Sequence, residues 1–517
     1  MPKSMKKKIS NEHRHLFKFG DALALTSYGK FNIFVLISTG GCLMAVAMET
    51  MGTLFINPLA ECDLQFGVTM KGYLSTANVL GVITSLYLWG FLGDAYGRRN
   101  IIIISMVLSF MITLLSSLAT VDWMLILLRF TNGLLIGGAF AVVYAYSGEF
   151  HNDKHQAKVI LWMSSFTSIA MMVIPGLAWL IIASEWSFEV PLIGVLFKPW
   201  RLLQIAYGLP SIIFAACIFL LPESPKYLLA NGKETEALLI LRKMYTLNTG
   251  KSSVEFPVIR LLLDEDIADV KNNKGFFRPL FKQTCSLFSK QFAIKTFAIC
   301  ILQFGVVLVT FGFYLWYPEV MNHMRVFERE NIGEKSSICR AIKYQSVHKH
   351  STNETVASTC KEEMKPEAFT VSFLMGAFFT VTYLTIGSLI NIVGKKNVLL
   401  LLFVTSALSG LTAQCLSGST IVDIFMGCAL LSSIGGSVII AIVVDLYPTH
   451  IRAMALAVSL MFGELGAVCG MHLSGLIFYD LCNFAYPIFA AFHIVVIVLV
   501  LLLLTSANIP KMIEPIM

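Results

Sequence analysis

Residues 90–100 read GFLGDAYGRRN, a polar stretch of eleven residues between two long apolar runs. A second copy at residues 387–397 reads GSLINIVGKKN, about 297 residues later and in the same register. A further repeat follows each copy at nearly the same offset, as Ile136-Gly137-Gly138 and Ile434-Gly435-Gly436. Two blocks that repeat at one period indicate a duplicated half, so we predict that each half is one six-helix unit.

The composition is that of a polytopic membrane protein. Apolar residues make up 56% of the chain, charged residues 14%, and the mean hydropathy is +0.73. Only helices satisfy every backbone group within hydrocarbon in a chain of this kind, so we predict an all-α fold with twelve transmembrane helices in two homologous six-helix bundles. The apolar runs of spanning length lie at about residues 32–55, 72–92, 100–118, 123–147, 159–183, 202–221, 294–317, 369–390, 397–416, 421–445, 453–479 and 486–507.

The distribution of basic residues predicts the orientation. With both termini in the cytoplasm, the short inner loops hold most of the basic residues, as the positive-inside rule requires, and we read the net charge of +7 as orientation rather than nucleic-acid binding. The predicted parts are a cytoplasmic tail at 1–31, a first bundle at 32–222, a cytoplasmic linker at 223–292, a second bundle at 293–507 with an outer loop at 318–368, and a cytoplasmic tail at 508–517.

The linker is charged and amphipathic, and Gly232–Lys243 is typical of an interfacial or cytoplasmic helix. A flexible hinge between the halves is favoured over a binding module. The outer loop carries the sequon Asn353-Glu354-Thr355, so we predict glycosylation at Asn353.

Four cysteines fall on the predicted outer face, where disulfides persist: Cys62, Cys339, Cys360 and Cys482. Four cysteines allow three pairings, and the pairing of Cys339 with Cys360 within one loop is the one we expect.

Signals of catalysis are absent from the sequence. It contains no phosphate-binding Gly-Lys-Ser/Thr loop, no zinc-ligand spacing and no nucleophile elbow. We therefore predict that the protein is not an enzyme and needs no cofactor or metal. The expected partners are a small-molecule solute and the lipid bilayer, with a coupling ion left open, and we expect a monomer.

Three motifs together resemble the major facilitator superfamily. They are Gly90-x-x-x-Asp94-x-x-Gly97-Arg98-Arg99, then Arg129 with Gly133 and Gly137, and Pro222-Glu223-Ser224-Pro225-Lys226-Tyr227-Leu228. Within the superfamily the chain most resembles the synaptic vesicle glycoprotein 2 group, which is similar in turn to organic cation and anion transporters. The resemblance implies the plasma membrane or an intracellular vesicle membrane.

The polar stretch that carries the first motif is the predicted gate. Gly90 and Gly97 allow close helix approach and a left-handed turn. The resemblance implies that Arg98, with Asp94 and Glu149, forms an ion-pair latch that closes the halves on the cytoplasmic side. The alternative is that Arg98 and Arg99 only anchor the loop on that side.

The second copy of the motif has Asn391 where the acid is expected. A matching contact there would rest on Asp445 and Arg452, and we expect it to be weaker.

Three charges remain inside the spans: Glu49, Arg129 and Glu464. A charge near the bilayer centre costs on the order of 3 kcal/mol, so each is a functional candidate. Glu49 and Arg129 fall in the outer third and predict a buried pair, either structural or in contact with substrate.

Glu464 has no cationic residue in its surrounding run, and His472 follows it at helical spacing. Because the matching position is acidic in organic cation transporters, the resemblance implies that Glu464 faces the cavity and binds a cation. The alternative is a protonated Glu464 that is hydrogen-bonded within the bundle.

Aromatic rings could complete a cation site, because an ammonium over a ring gains about 0.5 to 2 kcal/mol. The candidates are Trp316, Tyr317 and Trp179. Gln303 lies where sugar porters use paired glutamines, but only one is present, so sugar transport is not inferred.

The sequence thus predicts a secondary transporter that moves a small organic solute by alternating access, with organic cations favoured. Two alternatives stay open. One is an organic anion or zwitterion transporter, which would need Arg129 unpaired in the cavity. The other is a non-transporting vesicle or surface membrane protein with the same fold.

Overall fold

A computed structural model of the chain describes residues 16–64, 68–182, 186–190, 195–262, 281, 284–331, 334–351 and 366–506. Twelve of its helices are long and apolar enough to cross a membrane. Each of them overlaps one apolar run of the sequence, so the all-α fold with twelve spans is confirmed.

The first half contributes spans 1 to 6. Span 3 begins immediately after span 2, because Gly97 adopts a φ of 101° that reverses the chain between Tyr96 and Arg98. The six helices are Lys30–Met51, Val68–Tyr96, Arg98–Ser117, Asp122–Gly148, Asp153–Ile182 and Pro199–Leu220.

The second half contributes spans 7 to 12. Gly394, with a φ of 86°, repeats the role of Gly97 between spans 8 and 9. Span 10 is broken into two helices, which meet at residues 430 and 431. The helices are Ala293–Glu330, Pro366–Val393, Lys395–Cys415, Ser419–Ala429 with Ser432–Leu446, Thr449–Asp480 and Ala485–Ser506.

The halves meet along two helix pairs, span 2 with span 11 and span 5 with span 8. Both pairs are close at a glycine of the repeated motif. A Cβ on Gly90 would lie 2.5 Å from the Cβ of Ala457, and one on Gly387 would lie 2.7 Å from the ring of Trp162. The two sequence copies therefore lie at equivalent contacts between the halves. Both contacts are on the side of the molecule that carries Asp94, which we call the Asp94 face.

Part of the linker packs against the first half on the Asp94 face. Strand Leu16–Lys18 pairs in parallel with Arg260–Leu262, and helix Glu234–Thr249 lies beside them. Asn248 on that helix donates hydrogen bonds to the carbonyl oxygen of Ser27 at 2.9 Å and to Oδ1 of Asn32 at 2.8 Å. The predicted linker helix is thus present, ends six residues later than predicted, and is docked against the first half.

The opposite face carries short extra elements. Helix Thr53–Leu64 follows span 1, and a two-stranded hairpin of Phe188–Val190 and Val195–Phe197 precedes span 6. The span 7 helix extends to Glu330, and helix Ile338–Ser351 packs on this extension.

The disulfide prediction was wrong. Cys339 bonds to Cys482, with a Cα–Cα distance of 5.7 Å, and not to Cys360. Helix Ile338–Ser351 folds back on the second half, which places Cys339 beside the turn between spans 11 and 12. Cys360 and the predicted glycosylation site at Asn353 lie outside the described residues.

We predict that peptide mapping of the unreduced protein will find Cys339 linked to Cys482. Cys339→Ser and Cys482→Ser should each lower the free energy of unfolding by about 2–4 kcal/mol, because the bond restricts the unfolded chain. The double substitution should cost no more than either single one, as measured by thermal unfolding in detergent.

Cys415→Ser, at an exposed free thiol, is the matched control and should change little. A Cys339–Cys360 peptide, or additive costs of the two single substitutions, would contradict the assignment.

Asp63 forms ion pairs with Lys198 and Arg201 at the opposite face. Burial alone would raise the pKa of Asp63, but the hydrogen bond and charge of Lys198, with Trp200 and Arg201, hold it below its ordinary value. Lys198 Nζ lies 2.5 Å from Asp63 Oδ1, and Arg201 Nη2 lies 3.1 Å from Oδ2. The ionised carboxylate therefore stabilises the fold above its unfolded pKa, near 4, and this stability is lost as the pH falls through the lower folded value.

Asp63→Asn should accordingly lower the free energy of unfolding by about 1–2 kcal/mol at neutral pH. The difference from the unsubstituted protein should shrink towards zero below about pH 4. Thermal unfolding between pH 3 and pH 7 measures it, with the exposed Glu236→Gln as control. A difference that persists unchanged in acid would refute this role of Asp63.

Candidate functional site

A cavity of about 500 Å³ lies between the two halves, and we call it the central cavity. Spans of both halves contribute to it. The side chains that carry polar groups are Thr50, Thr76, Tyr144, Thr167, Ser168, Gln303, Thr310, Tyr314, Trp316, Tyr383, Ser433, Ser437, Glu464 and His472.

The central cavity is closed towards the Asp94 face and extends towards the opposite face. On the closed side the two helix pairs described above leave no room between them, as at Gly90. On the other side the lining reaches Gly72 and His472, which are both exposed. The central cavity is therefore closed at the Asp94 face and open towards the opposite face.

Glu464 is the acidic residue of the central cavity. Its carboxylate makes no hydrogen bond and no ion pair with any described residue. None of the described Lys or Arg residues lines the cavity. The alternative in which Glu464 is hydrogen-bonded within the bundle is not found, and the carboxylate instead faces the space between the halves.

Gln303 lies beside Glu464. A Cβ on Gly463, the residue before Glu464, would lie 3.0 Å from Cγ of Gln303. Gln303 is 4% exposed, and its Oε1 has no hydrogen-bond partner in the described structure. Both residues line the central cavity, which therefore contains a carboxylate and an amide.

Aromatic rings line much of the remaining cavity. Trp316 was predicted from the sequence and lies in the lining, where its Nε1 donates to the carbonyl oxygen of Met471 at 3.3 Å. Six further rings were missed: Phe140, Tyr144, Phe311, Tyr314, Phe379 and Tyr383. They come from spans 4, 7 and 8 and share no local pattern, so only helix packing assembles them.

Four of the predicted substrate contacts do not line the central cavity. Trp179 is 60% exposed on the surface of span 5. Tyr317 is buried outside the cavity lining and donates a hydrogen bond to Asp423 of span 10. Glu49 and Arg129 are buried away from the lining, so all four are removed from the site.

Glu49 and Arg129 form a buried ion pair inside the first half. Arg129 Nη1 lies 3.2 Å from Glu49 Oε2, while Thr113 donates to Glu49 Oε1 at 2.6 Å. Asn132 and Ser116 extend the hydrogen bonds to spans 3 and 4. Both charges have protein partners, which supports the structural alternative for this pair.

The predicted latch forms at the Asp94 face. Arg98 Nη2 lies 2.9 Å from Asp94 Oδ1 and 3.3 Å from Glu149 Oε1. The same nitrogen donates to the carbonyl oxygen of Thr449 at 3.0 Å, and the amide of Met454 donates to Asp94 Oδ2 at 3.2 Å. Because Thr449 and Met454 belong to span 11, this charged latch joins the two halves.

Glu223 completes the latch, a role that the sequence analysis did not assign to it. Its Oε1 accepts hydrogen bonds from the amides of Arg98 at 3.0 Å, Arg99 at 3.1 Å and Ser224 at 2.9 Å. Burial raises the pKa of Glu223, and these amide hydrogen bonds act against that rise. A Cβ on Gly97 would lie 2.5 Å from Glu223 Oε2, so glycine is needed there for space as well as for its φ.

Tyr227 stacks on the other side of Arg98, with the guanidinium 4.7 Å from the ring centroid. Both Glu223 and Tyr227 fall in the motif at residues 222–228, so the motif was visible in the sequence while its contact with Arg98 was not. Arg99 instead donates to the carbonyl oxygen of Phe219 at 2.6 Å, within the first half. Arg99 thus anchors its loop, and Arg98 joins the halves.

The second copy of the motif makes a different contact from the expected one. Asp445 pairs with Lys395, whereas Arg452 lies 3.9 Å from Glu149 Oε1 and donates to the carbonyl oxygen of Tyr447. The expected Asp445–Arg452 pair was wrong, because Arg452 at the start of span 11 turns towards the charged latch of the first copy.

Neutral hydrogen bonds join the halves at the second copy. Asn391 Nδ2 donates to the carbonyl oxygen of Lys154 at 2.7 Å, and Trp162 Nε1 donates to that of Leu384 at 3.1 Å. The substitution of an acid by Asn391 therefore replaces a charged contact by an uncharged one.

Comparisons with known proteins agree with this architecture. The family model described as "Major Facilitator Superfamily" matches residues 38–326 and 353–513. Synaptic vesicle glycoprotein 2A of Pongo abelii is 26% identical over 321 residues, which is 58% of this chain and 43% of that protein. Synaptic vesicle glycoprotein 2B of Homo sapiens is 25% identical over 354 residues, 65% of this chain and 51% of that protein. The matches thus span about half the length of these curated relatives.

Solved structures of the transporter XylE share the fold. The proton:xylose symporter XylE bound to 6-bromo-6-deoxy-D-glucose has a TM-score of 0.60 at 16% identity, covering 90% of this chain and 94% of that one. A partially occluded, inward-open form of XylE from E. coli has a TM-score of 0.55 at 15% identity, covering 92% and 98%. At these identities the likeness concerns the fold alone.

The substitution Arg98→Ala tests the charged latch. The substitution leaves Asp94 and Glu149 buried without their main counter-charge, so the free energy of unfolding should fall by about 3–5 kcal/mol. Arg99→Ala is the matched control from the adjacent position and should cost about 1 kcal/mol. Thermal unfolding in detergent measures both.

Latch opening is measured separately with Ala453→Cys, at a fully buried position of span 11 beside Gly90. Arg98→Ala should speed the reaction of this thiol with a water-soluble maleimide, and Arg99→Ala should not. Equal effects of the two substitutions on stability and labelling would refute the latch.

Proposed function

Because this chain belongs to the major facilitator superfamily, we propose that it is a secondary transporter that carries small organic cations by alternating access. The central cavity is the proposed substrate site, and the charged latch is the proposed gate. Glu464, Gln303, Trp316 and His472 are the sequence-predicted residues that we retain in the site.

One observation carries the choice of substrate class. Glu464 presents a carboxylate to the cavity with no protein counter-charge among the described residues, so a bound cation would supply the missing charge. The aromatic rings around the cavity support the same class, because an ammonium over a ring face is attracted to it. A cavity of about 500 Å³ is within the range of sites that hold drug-sized molecules.

The closed Asp94 face supports the proposed gate. Access from that side would require Arg98 to leave Thr449 and the amide of Met454 to leave Asp94. The neutral hydrogen bonds of Asn391 and Trp162 would break in the same movement. We propose that this face is cytoplasmic, since the basic loop residues Arg98, Arg99, Lys395 and Lys396 lie there.

An organic anion or zwitterion receives less support. Arg129 would have to reach the substrate, but it is 2% exposed, paired with Glu49 and outside the cavity lining. A sugar is also disfavoured, because Gln303 is a single amide in a lining rich in apolar and aromatic side chains.

The proposed function is tested by uptake into cells that express the protein, and into membrane vesicles prepared from them. A mixed pool of organic cations, anions and zwitterions is offered, and accumulation is read by mass spectrometry. We expect cation uptake that falls about tenfold or more in Glu464→Gln, since a charged contact of about 1.5–3 kcal/mol is lost.

Glu236→Gln, at an exposed carboxylate of the linker helix, is the matched control and should transport normally. Surface labelling must show equal amounts of each variant in the membrane. Anion uptake that is indifferent to Glu464→Gln would overturn the cation class. Correctly delivered protein that accumulates nothing would favour the non-transporting alternative.

A further inference from the structure

The carboxylates in the spans and at their ends fall into two groups. Glu49 has Arg129 as its partner, and both Asp94 and Glu149 have Arg98. Glu464 has no cationic partner among the described residues. An ionised carboxylate in apolar surroundings is expensive, so such a group is neutralised by a proton or by a counter-ion.

The central cavity therefore allows Glu464 two neutral states. In an empty cavity the carboxyl group would carry a proton, since none of the described Lys or Arg residues lines the cavity. With an organic cation bound, the carboxylate is ionised and the cation neutralises it. The proton and the cation compete for one group.

Other titratable groups that face the cavity do not compensate Glu464. On the helices around it these are the phenols of Tyr144, Tyr314 and Tyr383, which are uncharged at neutral pH. On the same helix as Glu464, His472 lies eight residues after it, about 12 Å along the helix axis. His472 is exposed. Among the described residues, the charged groups of the latch and the pair of Glu49 with Arg129 lie outside the cavity lining.

We propose that Glu464 binds a proton and the substrate cation alternately, so that the protein exchanges one organic cation for one proton. The inference rests on the proposed function and adds the coupling ion and its stoichiometry. It needs one carboxyl group and no second acid, and among the described residues Glu464 is the one acid that lines the central cavity.

The steps of the exchange balance in protons and charge. A cation that enters from one side displaces the proton from the Glu464 carboxyl group, and the proton leaves to that same side. The neutral ion pair then crosses with the conformational change. On the far side the cation leaves, a proton from that side binds the carboxylate, and the neutral empty form returns. One positive charge moves each way, so the cycle is electroneutral.

The inference is tested with the purified full chain in liposomes of neutral lipid. The probe is radiolabelled 1-methyl-4-phenylpyridinium, whose charge is fixed and therefore cannot change with pH. With potassium equal on both sides and valinomycin present, the membrane potential is held at zero. An acidic interior should drive accumulation by about tenfold for each pH unit, because equal concentration ratios of the two ions carry equal free energy.

Two variants separate coupling from folding. Glu464→Asp keeps the carboxyl group and should keep accumulation driven by the pH gradient. Glu464→Gln should lose it, while an unchanged elution volume in gel filtration shows that the variant is folded. In detergent, binding of the probe to the unsubstituted protein should release about one proton, read by a pH dye, and Glu464→Gln should release none.

The outcomes distinguish the two proposals. If an interior-negative potential drives probe uptake but the pH gradient does not, the exchange is overturned and the cation transporter stands. Proton release that persists in Glu464→Gln would also overturn the role of Glu464. If neither force drives transport of the probe or of the cations found by the cell uptake experiment, the proposed function fails and the exchange fails with it.

Discussion

The ion pairs and hydrogen bonds of Arg98 join the two halves on the side where the central cavity is closed. Its guanidinium contacts two buried carboxylates of the first half and a backbone oxygen of the second, so one side chain closes the gap between span 2 and span 11. Glu223 holds the backbone of Arg98 and Arg99 at the start of span 3. The central cavity extends towards the opposite face, and this contact lies on its closed side.

The duplicated halves use their equivalent contacts differently. At the first copy of the motif the halves are joined by charges, and at the second by the amide of Asn391 and the indole of Trp162. Charges that are buried and paired are costly to separate, whereas single neutral hydrogen bonds contribute about 0.5–1.5 kcal/mol each. Arg452 strengthens the asymmetry, since it lies near Glu149 rather than Asp445. The charged contacts between the halves described above therefore lie at the first copy.

The presence or absence of a counter-charge also distinguishes the structural charges inside the spans from the charge in the candidate site. The sequence presented Glu49, Arg129 and Glu464 as functional candidates, because each is a charge in an apolar run. Packing assigns two of them to each other and leaves the third facing the cavity. The same rule explains why Asp94, Glu149 and Glu223 belong to the latch: each has charged or amide partners within 3.3 Å.

The sequence by itself determined the twelve helices, the duplication, the family resemblance and the glycine motif, because hydropathy and local spacing fix these features along the chain. It also singled out Glu464. Only the tertiary structure decided that Cys339 bonds to Cys482, that Tyr317 and Trp179 lie off the cavity, and that rings from three spans line it. These facts depend on how helices distant in sequence are rotated and packed, and no local pattern records that rotation.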